Sequence, residues 1–260
     1  MRGGVFVYVA LLVALPLIAL ASTGLSNGIS GVWRAVSSPV AADALLLTLW
    51  TGALTAAINA VAGTATAWVL VRFRFPGRGL LQALVDLPFA VPTLVTGVML
   101  VLLLGPTRPA GRWFAAHGVE VLFAPPAIIF ALLFITVPFV VRAVEPVLAE
   151  LDPAEEEAAR TLGASDTAIV RRVILPALAP AIGVGALQSF ARSLAEFGSI
   201  VVVSGNIPHK SLTGAIYIFG EVEGGRPDIA AAVSLVLLAL SFALSLGARA
   251  LRHAIGGRRV

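Results

Sequence analysis

Between Val173 and Val203 three polar side chains, Gln188, Arg192 and Glu196, recur every fourth residue in an otherwise apolar run. Beside them runs a row of small residues, Ala177, Ala181, Gly185, Ser189 and Ser193. On a helix, rows at this spacing share a face, so close packing and buried charge are offered side by side. Arg192 and Glu196 are spaced for an i, i+4 ion pair, which lowers the cost of placing either charge in apolar surroundings. Intramembrane charge is a functional hypothesis by default, and with Gln188, Ser189, Ser193 and backbone amides as hydrogen-bond donors beside it this face is a candidate translocation path or gate. The alternative is that a neutralised pair only pins an interface. A second candidate lies at Asp86–Pro92, where Pro88 and Pro92, four residues apart, remove backbone donors next to Thr93 and Thr96. A kink or local break there either lines a path or simply shapes the helix bundle.

The elements that must position these residues are membrane spans. Of 260 residues, 58% are hydrophobic and only 12% charged, where soluble proteins average about 25% charged. Runs without Asp, Glu, Lys or Arg cover 3–33, 44–71, 87–107, 121–141, 173–191 and 229–248, and a helix needs about 20 such residues to cross a bilayer. The expectation is an all-α polytopic membrane protein, a single transmembrane domain over 1–260. Its six helices are placed near 4–22, 41–71, 82–105, 122–148, 177–204 and 228–251. Pro125, Pro126 and Pro138 predict an irregular fourth span with a scaffold role. The first span also has features of a cleavable signal peptide, Arg2 before an apolar stretch ending in Ala19-Leu20-Ala21; a retained helix is the favoured reading. Twelve of the 18 Lys and Arg lie on the side of the 72–80 and 142–176 loops, which puts both termini and those loops in the cytoplasm. The tail from Arg249 onward is basic and suits an anionic inner leaflet.

Several chemistries are excluded. Without cysteine there are no disulfides and no thiolate sites, and His117, His209 and His253 are too scattered to suggest a metal centre. The net charge of +4 is spread between apolar runs with no aromatic and basic patch, so nucleic acid is not expected. Gly205–Ser211, GNIPHKS, lacks the glycine that precedes the lysine of a phosphate-binding loop and falls on the outer side. In the second span Gly52, Ala56, Ala60 and Thr64 form a small-residue stripe for close helix approach. Asn59 among them must find a partner across a helix interface, as interhelical glue or as a substrate contact.

The longest strongly charged stretch is Leu151–Pro176, LDPAEEEAARTLGASDTAIVRRVILP. Asp152 and Pro153 read as N-cap and first helical position, and Glu155, Glu156 and Glu157 place negative charge at the positive end of the helix dipole. Gly163 ends that helix, and a second one from Ser165 is expected to stop near Pro176. The spacing Glu157-Ala158-Ala159, Gly163, Val173, Leu175-Pro176 resembles the EAA loop of ABC importer permeases, with Val173 where isoleucine is usual. DLPFAVP at Asp86–Pro92, VPFVVRAVEPVLAELDP at Val137–Pro153 and FARSLAEFGS at Phe190–Ser199 are similar to sulfate and thiosulfate permeases, and less closely to molybdate and tungstate ones. The resemblance covers roughly 41–252. It implies a cytoplasmic EAA loop at about 149–176 whose helix docks in a groove of a separate ATPase through Glu157, Ala158, Ala159 and Gly163. It further implies a second permease subunit, two ATPase copies holding ATP and Mg, an extracytoplasmic anion-binding protein, and no cofactor bound by this chain in the bacterial inner membrane. A secondary anion carrier using Arg192 and Glu196 is the alternative from another class.

Overall fold

The computed structural model describes residues 2–256, with side chains for Tyr8 and for 10–252. Arg258 and Arg259 of the basic tail, and the side chains of Arg2 and His253, lie outside the described residues. The described chain is all helical: α1 (Arg2–Gly24), α2 (Gly28–Val36), α3 (Pro39–Arg72), α4 (Arg78–Ala90), α5 (Thr93–Leu104), α6 (Pro109–Ala116) and α7 (Pro125–Ala149) come first. They are followed by α8 (Pro153–Thr161), α9 (Asp166–Ile169), a π-helical turn (Val170–Ile174), α10 (Leu175–Leu194), α11 (Gly198–Val203), α12 (Gly214–Glu223) and α13 (Pro227–Gly256).

Four stretches are long and apolar enough to cross a membrane: α3, α7, the continuous Asp166–Leu194 and Pro227–Arg252. Two further helix pairs are apolar enough when taken together but are bent at a short break, Ala10–Gly24 of α1 with α2 by 85° and α4 with α5 by 114°. The second bend falls at Val91 and Pro92, where the proline pair predicts a break. In α7, by contrast, the prolines cause no break, and the helix runs continuously from Pro125 to Ala149 with Pro138 and Pro146 inside it. Pro125 and Pro126 occupy the first turn, where no amide partner is required.

Two expectations for the fifth span are corrected. The helix from Ser165 does not stop near Pro176: Leu175 donates its amide to the Val170 carbonyl across a π turn, and α10 continues through the proline. The wider turn absorbs the missing amide of Pro176 and relieves the ring's clash with the preceding turn. At its other end the span does not run unbroken to 204. It stops at Leu194 and resumes as α11, leaving Glu196 in the break rather than on a helical face.

α7 is the centre of the bundle, packed on α3 and α10. The three backbones meet at Val140: a methyl on Gly185 would lie 2.7 Å from Val140 Cα, and one on Gly63 2.7 Å from Val140 Cβ. Such approach is possible only because both positions lack a side chain. The stripe in α3 behaves as expected, with Gly52, Ala56 and Thr64 buried and Ala60 half-buried. At one end of the bundle Leu70, Val144, Leu148, Ile169, Ile174 and Leu178 join α3, α7, α9 and α10 in one apolar cluster. At the other end the GNIPHKS segment is a tied turn: His209 Nδ1 lies 2.5 Å from Asp43, Lys210 pairs with Glu120 at 2.8 Å, and Ser211 donates to the Ser204 carbonyl.

Candidate functional site

The charged loop forms the two helices that its capping residues dictate. The Asp152 carboxylate accepts the Ala154 amide at 2.9 Å, Pro153 occupies the first turn of α8, and Gly163 adopts φ +84° just beyond the helix end. Ser165 caps α9 by accepting the Ala168 amide at 3.3 Å. On α8 the expected docking residues divide. Glu157 and Ala158 face out, while Ala159 is half-buried against the apolar cluster. Gly163 has open space where a side chain would be. Leu162 is 88% exposed, so an apolar side chain stands free beside that glycine. Sequence reasoning did not single it out; the signal was a large apolar side chain directly before the helix-ending glycine on an otherwise charged helix.

The other face of the loop is anchored. Glu156 is ion-paired with Arg72 at the end of α3, and the Arg72 guanidinium lies 5.5 Å from the Trp68 ring centroid. Ile169 and Ile174 are each 2% exposed in the apolar cluster. Arg160 and Asp166 pair within the loop at 2.9 Å. A small exposed surface is thereby tied to three long helices, α3, α7 and α10.

Inside the bundle, Arg192 pairs with Glu196 at 2.8 Å as the spacing predicts. The Glu196 carboxylate also accepts the Ser199 amide at 2.8 Å and the Ser199 hydroxyl at 2.9 Å. It thus ties the end of α10 to the start of α11, and at 2% exposure it is sealed from solvent. The Arg192 side chain remains 32% exposed. The other members of the row differ in fate. Ser189 donates to Thr136 at 2.9 Å, and Asn59 donates to Thr136 at 2.8 Å and weakly to Ser189 at 3.4 Å, so this polar triad joins α3, α7 and α10. Ser193 donates to its own helix at Ser189. Both hydroxyls are therefore committed inside the chain. Gln188 is half-buried, and its amide has no polar partner among the described residues.

The two breaks pack on one another. A methyl on Gly198 would lie 2.3 Å from Thr93 Oγ1, and one on Gly97 would lie 2.7 Å from the Ser199 carbonyl. Pro88 is buried in α4, Pro92 is exposed at the bend, Thr93 is half-buried, and Thr96, 2% exposed, has an unpaired hydroxyl among the described residues. Nearby, Arg142 on α7 donates to Asp86 at 2.9 and 3.0 Å and stacks 4.7 Å over Phe89, holding α4 against α7. The structure therefore brings Thr93, Thr96, Ser199 and the Arg192–Glu196 pair into one region where two helices are interrupted.

Residues 58–256 match the family described as "Binding-protein-dependent transport system inner membrane component". The chain belongs to this permease family. "Sulfate transport system permease protein CysT" of Synechocystis sp. is 39% identical over 240 residues, which cover 92% of this chain and 84% of that protein. "Sulfate transport system permease protein CysW" of the same organism is 40% identical over 235 residues, 90% of this chain and 85% of the relative. Among solved structures, a chain from the crystal structure of a bacterial alginate ABC transporter in complex with an alginate pentasaccharide-bound periplasmic protein superposes with a TM-score of 0.77. That superposition covers 98% of this chain and 93% of the other at 19% identity, and carries the fold alone. The permease is thus an integral, multi-pass membrane protein.

Proposed function

We propose that this permease is the membrane-spanning subunit of an ATP-driven importer for sulfate or thiosulfate. The names of its CysT and CysW relatives support the substrate, and one observation carries the mechanism. α8 presents Glu157, Ala158 and Leu162 to the outside while its other face is tied to α3 and to the bundle core. Such a surface suits a groove on a separate ATPase: Glu157 offers an anchoring acceptor, Ala158 allows close approach, Leu162 adds an apolar contact and Gly163 makes the turn. ATP and Mg belong to that partner, and this chain contributes no nucleotide site. The charge asymmetry of the loops supports a cytoplasmic position for this surface and both termini. A second permease subunit, homologous or identical, completes the path, and an extracytoplasmic binding protein delivers the anion. The self-contained carrier reading gives way to membership of a binding-protein-dependent family.

Movement of the docked helix reaches α3 through Arg72 and α10 through Ile169 and Ile174. Inside the membrane the path runs past the interrupted helices. Gln188, Thr93 and the exposed donors of Arg192 face the anion as it passes, with the buried Thr96 hydroxyl behind them, whereas Ser189 bonds across to α3 and α7 and Ser193 bonds within its own helix. Glu196 offsets the Arg192 charge, so a dianion is passed on rather than trapped. The test is a pull-down of the tagged protein from mild detergent, comparing wild type with a Glu157→Lys, Gly163→Trp variant and identifying partners by mass spectrometry. An ATPase recovered with wild type and lost with the variant supports the docking surface; recovery with both refutes it. Molybdate and tungstate share the shape and charge of sulfate, and competition against labelled sulfate uptake distinguishes them.

A further inference from the structure

The bent pair α1 and α2 carries a feature that lies outside the proposed path and docking surface. α1 is about 34 Å long at 1.5 Å per residue, enough to cross the hydrocarbon core once. Turning by 85° at its end therefore lays α2 along the membrane surface on the side opposite the docking loop. The sequence of α2 suits that position. Ile29 and Trp33, one turn apart, are 82% and 69% exposed on one face, and amphipathic helices with exposed tryptophan lie at the boundary between headgroups and acyl chains.

On its other face α2 borders a cavity of about 560 Å³, closed by α12 and the start of α13. Its wall carries Arg34, Tyr217, Glu221, Arg226 and Asp228. Glu221 and Arg226 neutralise one another at 2.5 Å. The remaining charges are not so matched. Arg34 makes one long bond, 3.4 Å, to the Ser30 carbonyl of its own helix, and Asp228 is met by the Asn27 amide at 3.2 Å. Burial, the largest cause, holds the Tyr217 phenol above its ordinary value, so it stays a neutral donor. The cavity thus offers one guanidinium and one carboxylate, each without an opposite charge among the described residues, at headgroup depth. Below it the flank of α1 is apolar and open, with Leu11, Leu15 and Ile18 between 51% and 62% exposed.

We propose that this cavity binds the headgroup of an outer-leaflet phospholipid carrying both a phosphate and an ammonium group. Arg34 takes the phosphate, Asp228 takes the ammonium, and the acyl chains run down the flank of α1 beneath Ile29 and Trp33. A zwitterionic headgroup satisfies both charges at once, whereas a purely anionic one leaves Asp228 facing a like charge.

The test uses the full-length chain, purified in mild detergent with its copurifying subunits, stripped of lipid and titrated with phosphatidylethanolamine or phosphatidylglycerol. Bound lipid is counted by native mass spectrometry. The expected result is one ethanolamine lipid per chain, retained at least tenfold less by Arg34→Ala, retained by Arg34→Lys, and bound without headgroup preference by Asp228→Asn. Equal retention by wild type and Arg34→Ala, or no preference in the wild type, overturns the proposal. A second measurement stands if Arg34→Ala fails to elute as a folded species. With Trp50, Trp68 and Trp113 replaced by Phe, Trp33 fluorescence should be quenched by brominated phospholipid. An unquenched Trp33 that is instead shielded by an added anion-binding protein would assign the surface to a polypeptide and refute the lipid site.

Discussion

Glu196→Ala removes the carboxylate on which three groups converge, and its effect separates a true buried pair from a coincidental contact. Glu196 is 2% exposed and accepts from Arg192 at 2.8 Å and from the amide and hydroxyl of Ser199 at 2.8 and 2.9 Å. Deleting one partner of a fully buried pair costs about 3–5 kcal/mol, because the other charge is left without its counter-ion. The Arg192 side chain is 32% exposed and recovers part of that from solvent, so about 3 kcal/mol is expected, including the unpaired Ser199 amide. Arg192→Ala leaves a sealed carboxylate held only by Ser199, again about 3 kcal/mol. The double variant leaves no uncompensated charge and loses chiefly the Ser199 bonds, so it should cost no more than either single, at most about 3 kcal/mol rather than their sum, a coupling of at least about 3 kcal/mol. Reversible unfolding of the purified chain in mixed micelles, titrated with dodecyl sulfate, measures all four corners of the cycle. Additivity to within about 0.5 kcal/mol would refute the argument that these charges stabilise one another across the break.

Two glycines should respond in opposite ways. Gly163→Ala meets open space and strains only a left-handed backbone, about 1 kcal/mol, while Gly163→Trp should leave the chain in the membrane fraction and abolish sulfate uptake. Gly185→Ala places a methyl 2.7 Å from Val140 Cα and should lower the folded yield, read by fluorescence-detected gel filtration, because α10 must move off α7. Arg72→Ala frees Glu156 and unfastens α8 from α3; labelled sulfate uptake should fall while the chain still copurifies with its ATPase, and loss of copurification instead would make Arg72 part of the docking surface. Asn59→Leu removes the donor shared by Thr136 and Ser189; the same micellar unfolding should show a loss of about 0.6–1.7 kcal/mol, the range of interhelical hydrogen bonds in membranes.

What was legible in the sequence was local. Asp152, Pro153 and Gly163 each act within one turn of their own position, so the loop could be read before its surroundings were known. The Arg192–Glu196 pair was legible for the same reason. The anchoring of the loop was not, because Arg72 and Glu156 are separated by 84 residues and meet only when α3 and α8 are in place. Ser189 and Ser193 looked like donors for an anion because spacing places a residue on a face without saying what covers that face; Thr136 of α7 covers Ser189. Pro176 was misread in the other direction, since a proline forbids an ordinary α-turn and the chain answered with a wider one. The break after Leu194 carries no proline at all. It is held by Glu196 folding back on Ser199, which hydropathy cannot register because the flanking residues stay apolar.

The π turn at Val170–Ile174 and the uninterrupted helix that leaves it have a mechanical consequence. Asp166–Leu194 is one rod of 29 residues, about 43 Å at the α-helical rise. The docking loop stands at one end of it and the Arg192–Glu196 pair at the other. A π turn is wound more loosely than the helix around it, so it is the segment of that rod which yields first to torque. In the coupling proposed above the rod acts as a torsion shaft with a looser turn near its loop end, and the winding of that turn sets how much of a rotation of the loop arrives at the break in the membrane.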